Sequence, residues 1–409
     1  MRLVTVSIDS IRLGEPLPFA LRDADGTLLA NKGYVIQTKA ELQDVVGKGF
    51  ELFIDVVDEE NYRRAYVNRL HHLVTENKAL GVIAGTQIAA AVDAKRTGLD
   101  EGLPDWLDLQ VQANTLLRDT SSPHFLARLD RLHNQLQRYS QRNPNGALFA
   151  LFHLSASEIR MYSATHAMLV SVMCGLAARE VLNWPAETEL TLCRAALTMN
   201  TGMTDLQDKL AMQLTPPTLE QRKQIDQHTL RSVQLLEQTG IRDPGWLEAV
   251  RDHHSVPPGR LAGMSEGRRM ARLIQRADMF AARLAPRASR VPTSPAAAMQ
   301  ASYFDENRQV DEAGAALIKA VGIYSPGSFV RLTTNEVAIV IQRGTNTTTP
   351  KVAVLINREG IPTSEPIIRD TSLREFRIVA SVPHRDVKVQ INLQRLLPLT
   401  VTGSSDRPW

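Results

Sequence analysis

The spacing of apolar residues divides the chain into a short β-rich start, a long helical middle and a β-rich end. Brief apolar runs between turn-forming pairs such as Asp25-Gly26 and Lys48-Gly49 predict strands in the first sixty residues. Long stretches without glycine or proline, such as Glu59–Leu80 and Phe125–Arg142, predict helices. After Gly322 the apolar period changes from 3.6 to 2, which predicts a closing set of strands. We therefore expect a mainly α fold in which a helical domain is flanked by small β-rich N- and C-terminal modules.

Turn and capping residues refine this pattern into individual elements. The predicted strands are Leu3–Val6, Phe19–Arg22, Leu28–Leu29, Tyr34–Ile36, Glu51–Asp55, Phe329–Leu332, Val337–Ile341, Val352–Ile356, Phe376–Ser381 and Val387–Ile391. A short helix is predicted over Ala40–Val46. Helices are predicted to start at Ser155, Pro185, Thr218 (with capping-box spacing to Gln221) and Ser294-Pro295, and one helix is predicted to end at Gly240 before Asp243-Pro244-Gly245. The predicted domains are a β-rich module over 1–60, a helical connecting region over 61–145, a helical domain over 146–320 and a β-rich extension over 321–409.

Composition excludes several classes of protein. A chain of 409 residues that is 43% apolar and 22% charged is large enough for two or three domains, each with its own core. The net charge of +3, from 47 basic and 44 acidic residues, argues against a nucleic-acid binder that relies on charge. Cys174 and Cys193 lie in apolar helical stretches, so we expect buried reduced thiols without a disulfide framework. The sequence has neither an N-terminal leader pattern nor a run of 18 apolar residues, so we expect a cytoplasmic protein without membrane insertion.

Five polar residues are the candidate chemistry of the helical domain. They occupy apolar helix faces, where an unpaired polar group costs a few kcal/mol. They are His166, His228, His253, His254 and Asp278. One interpretation is a hydrogen-bonded polar core in which Asp278 pairs with a histidine. The other is a metal site, since imidazole and carboxylate are standard ligands of zinc, iron and manganese.

The order and spacing of these residues resemble the HD-GYP family, a branch of the HD phosphohydrolase superfamily. The resemblance covers about residues 147–320. It rests on the run His166, Met199-Asn200-Thr201-Gly202-Met203, His228, His253-His254 and Asp278, with supporting similarity at Ala195-Ala196-Leu197, Arg276-Ala277-Asp278, Pro286-Arg287 and Arg290. It implies an HD-type helical domain in bacterial cyclic di-GMP signalling, with a metal centre in its catalytic members. It also implies that His228, His253 and His254 hold one metal, that His166 and Asp278 belong mainly to another, and that Arg287 and Arg290 bind ligand phosphate.

The chain departs from the family where catalysis is performed. Met199 and Asn200 stand at the metal-binding His-Asp pair, Met203 replaces the lysine that follows it, and Ser255 replaces a glutamate. The Gly-Tyr-Pro signature is absent after His254. Two dications about 4 Å apart repel by roughly 17 kcal/mol at an effective dielectric of about 20, which a bridging carboxylate and hydroxide must offset. A neutral amide and a thioether are poor substitutes, so we expect no two-metal hydrolytic centre.

These departures favour a degenerate HD-GYP protein that works as a binding or interaction module and is not an enzyme. Its partners would be cyclic di-GMP and signalling proteins, and its cofactor one divalent metal or none. Two alternatives stay open: a metal-dependent cyclic di-GMP phosphodiesterase or phosphohydrolase, and a scaffold similar to HDOD domains, which lack metal and nucleotide.

Four arginines share one helical stripe in the same domain. They are Arg269, Arg272, Arg276 and Arg283. Their spacing is typical of a solvated helix face, and the alternative is a rim that binds phosphate through guanidinium groups.

Overall fold

The structure of the protein is a computed structural model. The described residues are 104–157, 159, 161–288, 293, 295–389 and 391–401, with 3–6, 11, 13–15, 17, 19–22, 28–30, 34–38, 41–42 and 52–55 near the N-terminus. The chain forms two compact units, Met1–Asp108 and Leu109–Trp409. The predicted helix Glu59–Leu80 lies outside the described residues.

The first unit contains an antiparallel four-stranded sheet. Its strands are β1 (Leu3–Val6), β2 (Leu21–Arg22), β3 (Leu28–Ala30) and β4 (Leu52–Asp55), in the order β1-β4-β2-β3. Leu17, Leu21 and Ile36 belong to its apolar core. Four predicted strands are confirmed to within two residues, whereas Tyr34–Ile36 forms only a single bridge at Val35. Of the predicted helix Ala40–Val46, the described residues Glu41 and Leu42 are helical.

The second unit is mainly helical, as the sequence pattern predicts. Its first helices are α1 (Trp106–Arg118), α2 (Phe125–Arg142), α3 (Pro144–Ser157), α4 (Tyr162–Glu180), α5 (Ala186–Thr198) and α6 (Thr204–Met212). The following helices are α7 (Leu219–Gln238), α8 (Pro244–Asp252), α9 (Glu266–Leu284), α10 (Pro295–Tyr303), α11 (Glu312–Val321) and the short α12 (Leu393–Leu396). The bounds of α1 straddle the division between the two units.

Capping residues set several of these bounds. Thr218 accepts a hydrogen bond from the backbone of Gln221, whose side chain accepts one from the backbone of Thr218 in return, so the predicted capping box starts α7. Gly240, with φ of +94°, follows the end of α7, and the Asp243 side chain caps α8. The predicted start at Ser155 is wrong, because Ser155 lies in the last turn of α3.

Helix α4 is the centre of the helical core. It is buried on all sides, since its residues from Tyr162 to Ala178 are all buried. Helices α3, α5, α9 and α11 pack around it. Cys174 of α4 and Cys193 of α5 are buried free thiols, as predicted, and burial raises the pKa of Cys193 to about 12.

An antiparallel five-stranded sheet closes the chain. Its strands are β5 (Phe329–Leu332), β6 (Val337–Gln342), β7 (Lys351–Ile356), β8 (Pro362–Asp370) and β9 (Ile378–Val382), in the order β8-β7-β6-β5-β9. The predicted strand Val387–Ile391 is wrong for its described residues, which follow a 3-10 turn over His384–Asp386 and are not in a strand. The sequence pattern does not predict strand β8, because this strand lies at an edge of the sheet, carries two prolines and exposes most of its side chains.

No helix among the described residues is long and apolar enough to cross a lipid bilayer.

A buried histidine in α2 predicts acid sensitivity of the fold. His133 is 1% exposed, and burial, with the positive charge of Arg194, lowers its pKa from 6.5 to about 4. Between pH 6.5 and 4 the unfolded chain therefore binds a proton that the folded chain excludes. The free energy of unfolding decreases as the pH is lowered through this window. The shift corresponds to about 3 kcal/mol at most. Urea unfolding at pH 7 and pH 5 is expected to show a smaller pH-dependent loss in His133→Gln than in the wild type; equal losses would assign the acid sensitivity to other groups.

Candidate functional site

Three histidines meet where α7 and the end of α8 come together. His228 lies in α7, and His253 and His254 directly follow α8. One ligand atom from each ring can be chosen so that all three lie within 4.8 Å of one another. His228 and His253 are buried, whereas His254 is exposed, so solvent reaches one side of this cluster. We refer to these three residues as the histidine triad.

Hydrogen bonds orient two of the triad rings. The Nδ1 atom of His228 donates to the carbonyl of Ile225, and Nδ1 of His253 donates to the carbonyl of Val250 at 2.7 Å. These bonds assign the single ring proton of each neutral imidazole to Nδ1, so both Nε2 atoms carry lone pairs. The Nε2 atoms face each other at 3.4 Å. Two facing acceptors repel, and a cation beside both lone pairs would remove this conflict.

The protonation state of the triad also suits a metal. Burial, with the nearby His254, lowers the pKa of His253 to about 3, and burial lowers the pKa of His228 as well. Both rings are therefore neutral at pH 7, which is the form that binds metal ions. Three imidazoles with an open position form a donor set that zinc commonly accepts. The residues present therefore fit one divalent cation.

Asp278 and His166 form a pair beside the triad. The Nε2 atom of His166 lies 2.6 Å from Oδ1 of Asp278, and the Tyr162 ring stacks on His166 at a centroid distance of 5.6 Å. Burial disfavours ionisation of Asp278, but the hydrogen bond with His166 and the neighbouring His254 and His253 hold its pKa well below its usual range. The fold thus brings together all five residues that the sequence singled out. Because Asp278 is already bonded to His166, part of the predicted polar core exists here as well.

The turn after α5 holds Met199 and Asn200, which the sequence resemblance matches to a His-Asp pair. Met199 is fully buried, and Asn200 is 8% exposed, with its Oδ1 atom buried and without a hydrogen-bond partner among the described residues. The next residues form a 3-10 turn over Thr201–Met203, which packs against α7. This turn, over 199–203, therefore offers a neutral amide and a thioether but no carboxylate.

Gly202 contributes to the site in a way that sequence reasoning missed. Its backbone N–H donates to Oγ of Ser232 at 2.9 Å, which binds the turn to α7 one helical turn after His228. A Cβ atom at position 202 would lie 2.6 Å from the carbonyl oxygen of His228. Only glycine allows the turn to lie this close to α7. The glycine within Met199-Asn200-Thr201-Gly202-Met203 was the sequence signal from which this close contact could have been predicted.

Of the two arginines predicted to bind phosphate, the structure describes Arg287 but not Arg290. Arg287 donates from Nη2 to the Tyr162 hydroxyl at 3.0 Å, and its guanidinium lies 5.3 Å from the centre of the same ring. Since Tyr162 stacks on His166, Arg287 lies at the border of the site. Arg290 lies outside the described residues.

The arginine stripe of α9 is neither a solvated face nor a phosphate rim at its two central positions. Arg272 and Arg276 are 0% and 1% exposed. Their guanidinium groups bind Asp311, which caps α11, and Glu306 of the preceding loop. Both interpretations of the stripe are wrong for these residues, because a pair of carboxylates distant in the sequence neutralises them inside the core.

Arg272 also connects this buried ion network to the site. Its Nη1 atom donates to the carbonyl oxygen of Val256 at 2.9 Å. Val256 is buried and follows His254 by two residues. The network therefore anchors the segment that leaves the histidine triad.

The outer members of the stripe differ from this pair. The Arg269 guanidinium lies 5.7 Å from the centre of the Trp184 ring, and Arg283 donates to the carbonyl of Met279 within its own helix. Both side chains are partly exposed.

Comparisons with known proteins find a similarity in structure but none in sequence. No protein-family model matches the chain, and no curated protein sequence matches it. The chain is similar in structure to Bd1817, described as an HDG"Y"P protein from Bdellovibrio bacteriovorus, with a TM-score of 0.43 and 15% sequence identity. The match covers 77% of this chain and 98% of the Bdellovibrio chain.

Proposed function

We propose that this protein is a catalytically impaired HD-GYP-type protein of bacterial cyclic di-GMP signalling, located in the cytoplasm. In this proposal the histidine triad holds one divalent cation, and the domain works as a binding or interaction module. The observation that carries the proposal is the pair of neutral imidazoles whose Nε2 lone pairs face each other at 3.4 Å. Beside them, the His-Asp position of the family is occupied by Met199 and Asn200.

The chemistry of the donor set supports one cation rather than two. The triad supplies three nitrogen ligands, which together with water satisfy zinc and also suit iron or manganese. A second cation would need a bridging anion, and Asn200 offers only an uncharged amide oxygen. Asp278 is bonded to His166, so its carboxylate is already engaged. A bound divalent cation would supply Lewis acidity and lower the pKa of a coordinated water.

The ligand part of the proposal rests on the motif resemblance and on Arg287. Its guanidinium lies over Tyr162 at the border of the site, where one edge of the group could receive a phosphate of cyclic di-GMP. We assign the same role to Arg290 from the resemblance alone. The exposed position of His254 keeps the triad within reach of a ligand.

Metal content is the direct test of the triad. After incubation with zinc, manganese or iron(II) and dialysis, elemental analysis is expected to find about one metal ion per wild-type chain. His253→Gln removes one ligand from the triad and is expected to lower the bound metal at least tenfold. His133→Gln changes another buried histidine outside the triad and is expected to retain it.

The same samples separate the alternatives when cyclic di-GMP is added. The proposal expects a thermal shift with cyclic di-GMP and no turnover. Turnover that is lost in His253→Gln would establish a phosphodiesterase instead. Absence of both metal and a nucleotide-induced thermal shift would establish a scaffold similar to HDOD domains.

A further inference from the structure

A cleft lies on one face of the C-terminal sheet, apart from the histidine triad. Four side chains stand in one row across its floor, since Arg331 pairs with Ala380 on one side and with Val337 on the other, and Val337 pairs with Ile356. Residues paired across a sheet point to the same face. The floor is therefore apolar except for one guanidinium group.

The turns at the ends of the strands and the segment that follows β9 form the walls of this cleft. One wall contains Asn335, from the turn between β5 and β6, together with Asn357 and Gly360 from the turn after β7. The other contains Pro383, Asp386 and Val387, where the chain leaves β9. The open cleft has a volume of about 430 Å³, enough for a small organic molecule.

The Arg331 guanidinium is held in place without a counter-ion. Its Nη1 atom donates to the side chain of Asn335 at 3.0 Å and contacts the Asn335 carbonyl at 3.5 Å. Among the described residues, no carboxylate lies within 4.0 Å of it, whereas Arg369 and Arg395 of the same module pair with Glu336 and Glu365. The Nε and Nη2 atoms of Arg331 have no hydrogen-bond partner in the described part of the chain. This edge is the planar fork that binds an oxyanion through two parallel hydrogen bonds.

We propose that this cleft binds a small organic monoanion, with its carboxylate on Arg331 and its apolar body on the floor of Val337, Ile356 and Ala380. The guanidinium supplies one positive charge on a part-buried apolar floor, where an ion pair is screened less than in water. This single charge is matched by one carboxylate, whereas a phosphate dianion would keep one negative charge without a partner on the apolar floor. This proposal does not depend on the function of the histidine triad.

Three probes with the same phenyl body test the charge requirement. Benzoate is a monoanion, phenyl phosphate is mainly a dianion at pH 7.5, and benzamide is uncharged. Isothermal titration and saturation-transfer NMR on the full chain are expected to rank benzoate first, phenyl phosphate next and benzamide last. Tighter binding of phenyl phosphate than of benzoate would refute the monoanion assignment, and equal binding of benzamide would refute an anion site altogether.

Two matched variants test the residue. Arg331→Gln is expected to weaken benzoate binding at least tenfold. Arg358→Gln removes the same charge from the adjacent turn, where the side chain is 78% exposed, and is expected to change binding less than twofold. Thermal unfolding of both variants establishes that they are folded. Absence of benzoate binding to the wild type, or equal binding by folded Arg331→Gln, would overturn the proposal.

Discussion

Asp311→Asn is expected to lower the free energy of unfolding by about 3–5 kcal/mol, the cost of breaking a buried ion pair from one side. The Asp311 side chain is 2% exposed and binds the guanidinium groups of both Arg272 and Arg276. The amide keeps the shape of the carboxylate but removes its charge, so two buried cations would share a single carboxylate, that of Glu306. Urea unfolding at pH 7.5, followed by far-UV circular dichroism, measures the change.

Glu306→Gln is the matched control for this prediction. Glu306 binds the same two arginines, but its side chain is 51% exposed, so water compensates for much of the lost charge. We expect a loss of at most about 1 kcal/mol, as for exposed ion pairs. A similar loss in both variants would mean that burial does not set the strength of the network, contrary to the expected result.

The helical architecture and the gathering of the five polar residues could be predicted from the sequence. Local signals sufficed for the helices: Phe125–Arg142 has the predicted bounds, and the Thr218 capping box starts α7 where expected. The histidines and Asp278 could be found because polar groups on apolar helix faces must be paired or bound. That requirement holds whatever the details of packing.

The arginine network could not be predicted because its partners are distant in the sequence. Arg272 and Asp311 are 39 residues apart, and periodicity alone cannot distinguish a solvated arginine from one neutralised across a helix interface. The capping pattern of Asp311 before Glu312 was a local signal for a helix start but not for an ion partner. Strand β8 was missed for a related reason: an edge strand with exposed side chains lacks the apolar alternation that marks buried strands.

The double variant Met199→His/Asn200→Asp is expected to raise the metal content from about one to about two ions per chain. It introduces the imidazole and carboxylate that the resemblance to HD-GYP proteins implies at these positions, and the carboxylate supplies a bridging charge that Asn200 lacks. Asn200 is 8% exposed and its Oδ1 atom has no hydrogen-bond partner among the described residues. A carboxylate at this position would therefore be a buried charge without a partner, which destabilises the fold unless a cation binds. The metal-free double variant is therefore expected to be about 1–3 kcal/mol less stable than the metal-free wild type.

Metal should then stabilise the double variant more than it stabilises the wild type, because cations bind the folded state and compensate the buried charge. Elemental analysis and thermal unfolding with and without chelator measure both quantities on the same samples.

Asn200→Asp alone separates the effect of charge from that of the added imidazole, since it introduces the bridging carboxylate but not the imidazole ligand at position 199. If the double variant binds a single ion and gains no extra stability from metal, the loss of the His-Asp pair is not what limits this site to one cation. The cause would then lie in the engagement of Asp278 by His166, which His166→Gln would release.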